Sequence, residues 1–265
     1  MAGQDTPRGS VTRLHGLDAY VTEPADGRPI RGVVVIVSDA YGWEFPNSRL
    51  LADRYADKGG YRVLLPDFFD GHACPTWMVE SLRVMMGSGN ILSRAYAALW
   101  VAYAFIPFVV SQQLLGDAYS TVATFFSAVR AGPEASRGLP VFAAGFSWGA
   151  RQAVLLAGGS EGPGGRPLVD AVFAGHPASN LDVPADVERA AAPVSFAVGD
   201  HDHAVSGDVL ARLEAAAKAM GGELRVYGGV GNGFCVGADL AARDAGEAAE
   251  DAQEQAIAWF DAHAK

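Results

Sequence analysis

The hydrophobic pattern of the chain alternates between two periods. From residue 32 onward, short apolar runs at 32–38, 61–66, 141–145, 171–175, 193–199 and 224–227 alternate with longer stretches at 47–57, 117–131, 150–157, 208–220 and 247–263. A continuous apolar run such as 32–38 is what a strand buried on both faces shows, while the longer stretches carry helical spacing. Strands alternating with helices imply a mostly parallel central sheet with helices on both faces. Before this region, residues 11–23 alternate loosely around Gly16 and read as an antiparallel hairpin. Asn47 is the expected N-cap of the first helix. Residues 76–116 are apolar and helical in tendency, broken by Gly87, Gly89 and Pro107. The longest apolar stretch, 95–110, falls short of a membrane span and reads as a buried or cap helix, with a membrane-associating cap left open. With no repeat and no linker, the chain reads as a single domain, 1–265, in which about 74–116 is a helical cap or insert.

The run ending at Gly145 leads into Phe146, Ser147, Trp148 and Gly149, and a helical stretch follows. This is G-x-S-x-G between a strand and a helix, the context of a nucleophile elbow. Ser147 then stands at the carboxyl end of a parallel strand and the amino end of a helix, where developing negative charge is favoured. The oxyanion donors would be the backbone N–H groups of Trp148 and of Ala40, in the loop after an earlier strand. A serine hydroxyl needs a base and the base an orienting acid, in the chain order serine, acid, histidine. Asp202, at the end of the strand 193–199, is the expected acid, with Asp200 its close rival. At the expected base position, in the glycine-rich loop after the last strand, the chain has Asn232.

Composition narrows the partners. Of 265 residues, half are hydrophobic, and the formal charge of −10 excludes a basic nucleic-acid-binding stripe. Two cysteines, Cys74 and Cys235, make no disulfide framework, and the polar N-terminus shows no leader. A cytoplasmic protein without stable membrane insertion is expected, and a homodimer is left open.

Several segments together resemble the dienelactone hydrolase family, above all its fungal-type branch. They are Asp39-Ala40-Tyr41-Gly42-Trp43-Glu44-Phe45-Pro46-Asn47, Leu65-Pro66-Asp67-Phe68-Phe69, Gly145-Phe146-Ser147-Trp148-Gly149, His176-Pro177-Ala178-Ser179, the turn from Gly199 to Asp202, and Gly231-Asn232-Gly233-Phe234. The resemblance implies an α/β-hydrolase fold acting on an ester or lactone of a small molecule, with no cofactor and no metal. It places an acidic residue, here Asp39, near the nucleophile. The chain departs from the family at three points. Ser147 stands for the usual cysteine, Asn232 for the base histidine, and Cys235-Val236-Gly237 carries no arginine to hold a substrate carboxylate. An amide cannot take the serine proton, and loss of a triad histidine costs on the order of 10⁶ in turnover. Asn232 is read either as divergence toward another chemistry or as a substitution made to trap a ligand. His176, and after it His203 and His201, are the candidate substitute bases, with His72 a weaker one. Tyr41, Trp43, Phe68, Trp148 and Phe234 would line a pocket for an aromatic or polyketide-like substrate. Two other readings stay open: a non-hydrolytic cyclase, isomerase or lyase on the same fold, and a non-catalytic small-molecule binder.

Overall fold

A computed structural model describes residues 6–264, apart from 115–117, 136–137, 160–161, 163–164 and 238–245. Its centre is an eight-stranded sheet built from β1 (Ser10–Leu14), β2 (Leu17–Thr22), β3 (Val33–Val37), β4 (Arg62–Pro66), β5 (Val141–Phe146), β6 (Ala171–Gly175), β7 (Val194–Gly199) and β8 (Glu223–Tyr227). The spatial order is β1-β2-β4-β3-β5-β6-β7-β8. The first hairpin pairs antiparallel, as does β2 with β4, and every later pair is parallel. The expected α/β-hydrolase architecture is therefore present.

The unbroken apolar strands are buried on both faces. In β3, Val33, Val35 and Val37 enter one core while Val34 and Ile36 enter the other. The first core is completed by α4 (Ala118–Ala131), α5 (Trp148–Leu156) and α7 (Asp208–Ala219), through Phe125, Val154 and Leu213. The second is completed by α1 (Pro46–Gly59) and α8 (Gly246–His263), through Tyr55 and Phe260. A third, smaller cluster joins Phe69 and Cys74 to α2 (Met78–Met86) and α3 (Ile91–Leu114).

Three expectations change. Asn47 does not cap α1: Phe45 precedes the helix without a side-chain cap bond, and Pro46 opens it, as a residue without an N–H can. The Asn47 amide instead donates to the Val236 carbonyl at 3.0 Å, tying α1 to the loop after β8. Pro107 does not break α3, which continues through it for 24 residues. Of the two readings of that helix, buried or cap, the buried one does not hold: over Ile91–Val110 it is long and apolar enough to cross a membrane, yet only 17% of its most apolar window is covered by the rest of the protein. The pattern also left unmarked the short α6 (Ala185–Glu188) and the 3-10 turn Phe234–Val236.

The elbow depends on two glycines for space. A Cβ on Gly149 would lie 2.1 Å from the Val37 carbonyl oxygen and 2.6 Å from that of Ser38. A Cβ on Gly145 would lie 2.4 Å from the Gly149 carbonyl oxygen. All these neighbours are backbone atoms, so α5 would have to move off β3. We expect Gly149→Ala to lower unfolding free energy by roughly 2 kcal/mol or more, the scale of overpacking a tight core, in urea titration. An unchanged midpoint would show that α5 does not seat against β3 as described.

Candidate active site

β3, β5, β6 and β7 end together, and the loops leaving their carboxyl ends carry the candidate residues. Ser147 leaves β5 in a strained conformation, φ 50° and ψ −112°. That region disfavours a residue with a Cβ and is held only where surrounding structure imposes it. Here the Ser147 N–H donates to the Gly175 carbonyl at 3.1 Å, and the Ser147 carbonyl accepts from Ala150 N–H at 3.1 Å and Ala178 N–H at 3.3 Å. The hydroxyl side chain thus stands on a fixed backbone at the start of α5. Trp148 is the first residue of that helix, where N–H groups have no acceptor within the helix. Its ring packs on Phe69 with centroids 4.7 Å apart. Ala40 sits in the facing loop, its carbonyl accepting from Cys74 N–H at 2.7 Å.

The structure brings Asp202 and Asn232 together. The Asn232 amide donates to Asp202 Oδ2 at 3.0 Å and to the His176 carbonyl at 3.1 Å. Asp202 Oδ1 accepts from Ala204 N–H at 2.8 Å. The carboxylate is buried, which raises its pKa; the bonds from Ala204 and Asn232 and the charge of His203 pull the other way. The rival Asp200 is exposed, and its Oδ1 accepts from Gly229 N–H at 2.8 Å, bracing the loop after β8. The His201 N–H donates to the Val230 carbonyl in the same loop at 3.0 Å. The 202 loop and the 232 loop are therefore one bonded unit, in which the side chain that meets Asp202 is the Asn232 amide.

His176 does not face a pocket. It is 0% exposed, lies beside the rings of Phe146 and Phe234, and has both ring nitrogens without a hydrogen-bond partner among the described residues. Burial holds it neutral, with its pKa pushed down to about 3. Its strand-end position directs the backbone carbonyl, not the imidazole, toward Asn232. His203, His201 and His72 are exposed in their loops. Two aromatic expectations also change. Phe234 is fully buried in the second core, and Phe68 packs in the first core against Phe125, with centroids 5.6 Å apart. Tyr41, Trp43 and Trp148 remain half-buried, although Arg49 covers the Trp43 ring at 4.8 Å. Apolar content alone does not say whether an aromatic residue lines a pocket or fills a core.

Asp39 is buried at the end of β3, two residues beyond Val37, which is in register with Gly145 two residues before Ser147. Its Oδ1 accepts from Tyr41 N–H at 2.9 Å, shaping the loop. Desolvation raises its pKa from 3.8 to about 7; burial also raises those of Tyr41 and Cys74, and the charge of Asp39 adds to both. Among the described residues no cluster of His, Cys, Asp or Glu is arranged to hold a metal ion.

A doubly covered parallel sheet with a strained serine on a strand–helix elbow and a buried carboxylate two strands away defines an α/β-hydrolase-fold protein. Residues 17–264 match the dienelactone hydrolase family, and the chain belongs to that family. It is 24% identical to hydrolase tropI of Talaromyces stipitatus, across 98% of this chain and 92% of that one. It is 26% identical to dienlactone hydrolase 1 of Gibberella moniliformis, across 86% of this chain and 77% of that one. The crystal structure of a dienelactone hydrolase from Anabaena variabilis superposes with a TM-score of 0.60 at 18% identity, covering 98% of this chain and 99% of that one, a likeness of fold.

The Asp39 environment has a measurable consequence. A carboxyl whose folded pKa is about 7 against 3.8 when exposed contributes stability that is complete below about pH 4 and is lost as pH rises through 7. Asp39→Asn keeps the loop acceptor but cannot ionise. Relative to the parent, the variant should gain roughly 3–4 kcal/mol of unfolding free energy between about pH 4 and pH 7.5, read from paired urea titrations. A difference independent of pH would mean that Asp39 ionises freely in the folded protein.

Proposed function

We propose that this chain acts on a small ester or lactone, with Ser147 as the nucleophile, the Trp148 and Ala40 N–H groups as oxyanion donors, and Asp202 with Asn232 in the places of acid and base. Ser147 Oγ would attack the carbonyl carbon, and the oxygen would gain charge at the amino end of α5, where the helix dipole stabilises it. The hydroxyl proton is the weak point. Asn232 cannot accept it, His176 is sealed in the core, and acyl transfer is correspondingly slow. The observation that carries this reading is the 3.0 Å bond from the Asn232 amide to Asp202 Oδ2, because it reproduces the acid's contact to a base with only the base exchanged.

A second reading has its own support. The Asn232 amide nitrogen is committed to Asp202 and to the His176 carbonyl, so its oxygen faces away from both. A fixed acceptor of this kind suits binding a substrate hydroxyl during an isomerisation, cyclisation or lyase step that needs no serine nucleophile.

A fluorophosphonate separates the two. The first reading predicts slow labelling of the parent and faster labelling of Asn232→His, in both cases as a single adduct on Ser147 by intact-protein and peptide mass spectrometry, absent when Ser147→Ala is added. It also predicts that Asn232→His raises p-nitrophenyl acetate turnover by at least about 10², part of what a triad histidine contributes. No adduct, together with no gain in Asn232→His, would overturn it in favour of the second.

A further inference from the structure

The exposed side of α3 has no counterpart in the catalytic reading. We propose that α3 docks this protein on an uncharged, zwitterionic lipid surface, lying flat in the interface with the elbow side of the molecule beneath it. The inference does not depend on whether Ser147 reacts.

Three observations distinguish a lipid surface from a protein partner. The first is the width of the apolar arc. Over Ile91–Val110, where burial is described, the buried residues are Ala97, Ala104 and Phe108, on one stripe of the helix. The remaining side shows Ile91 at 80% exposure, Leu92 at 78%, Leu99 at 71% and Ile106 at 59%. At 3.6 residues per turn, the exposed apolar positions from Phe105 round to Trp100 span roughly 220° of the circumference. A second helix or a sheet face packed alongside would cover one side of that arc and leave the other in water. A lipid phase covers all of it at once.

The second observation is charge. Arg94 is the sole charged residue in Ile91–Leu114, and its Nε is occupied with the Met85 carbonyl at 3.0 Å. One basic residue in 24 gives α3 little to hold anionic headgroups, and the net charge of −10 opposes an anionic surface. The third is the placement of aromatics. Tyr96, Trp100 and Tyr103 stack edge to face along the exposed side, and Trp77 from the segment before α2 meets Trp100 with centroids 5.8 Å apart. Trp and Tyr, apolar bodies with a polar tip, favour the headgroup level of a bilayer.

Ile91–Val110 is about 30 Å long at 1.5 Å per residue, which is span length. It does not need to span. The Ala104–Phe108 stripe joins it to Phe69 and Cys74, with Ala40, Tyr41 and Trp148 packed at the same cluster, so the helix stays attached to the body. Adsorption at the interface satisfies both sides. It also sets the loops of the candidate site against the lipid surface, the route by which a water-insoluble ester would reach them.

The test is flotation with phosphatidylcholine vesicles, read alongside tryptophan emission. The parent should float with the vesicles and its emission should shift to the blue. Leu99→Glu with Ile106→Glu, both exposed and outside the site, should keep the circular dichroism spectrum and melting temperature. The pair should weaken partitioning on the order of 10²-fold or more, since two apolar side chains lose their burial. Doping the vesicles with phosphatidylserine at low salt should weaken parent binding. Failure of the parent to float, or undiminished flotation of the double variant, would overturn the proposal. So would a lipid-free dimer that the double variant converts to monomer while the parent ignores vesicles, because a second copy would then be what covers α3.

Discussion

The contact on which this molecule turns is the approach of α5 to the end of β3. Gly149 lets the first turn of the helix sit against the carbonyls of Val37 and Ser38, with no room for even one methyl group. That approach fixes where α5 starts, and so forces Ser147 into its strained conformation one residue earlier. The strain is held by backbone bonds to the Gly175 carbonyl and from the Ala150 and Ala178 N–H groups, two of them reaching the neighbouring β6 strand or the loop after it. It is the kind of local cost that persists only where the surroundings over-determine it. The same approach brings the Ala40 loop opposite Trp148, so one packing constraint positions both the serine and the groups around it.

A second close approach serves the other half of the site. A Cβ on Gly199 would lie 2.2 Å from the Val230 carbonyl oxygen, so the end of β7 and the loop after β8 touch backbone to backbone. Asp202 and Asn232 come from these two segments and meet through side chains. On the proposed reading, these two segments are the acid side of an acyl-transfer site, with an amide in the place of its proton acceptor. Asn232 satisfies the buried Asp202, which would otherwise lack that donor at a cost of about 1–3 kcal/mol or more. The buried Asp202 carboxylate by itself gives a hydrogen-bond donor at position 232 a structural role.

Much of this was legible from the chain. Two-sided burial writes continuous apolar runs, so the parallel strands and the elbow stood out, and the chain order of serine, acid and base pointed to Asp202 and Asn232. What was not legible has a common cause: orientation at a strand end. His176 follows β6 just as Ser147 follows β5, yet one ring is sealed between Phe146 and Phe234 while the other side chain crowns the elbow. Phe68 and Phe234 likewise read as pocket residues and pack as core. The apolar stretch through Pro107 suggested a break and left buried and cap helices as alternatives, and the structure has a continuous, mostly exposed helix, because apolar character does not state what a face is turned toward.

The central claim is that Asp202 and the elbow remain poised around a vacated base position. Chemical rescue tests it most directly. In Asn232→Gly, added imidazole can enter the space of the lost side chain, donate to Asp202 and accept the Ser147 proton. Ester turnover should rise and saturate with imidazole concentration in Asn232→Gly, and stay flat in Asn232→Gly with Ser147→Ala. If imidazole adds nothing to the single variant beyond its effect on the double variant, then Ser147 and Asp202 do not form the halves of a triad.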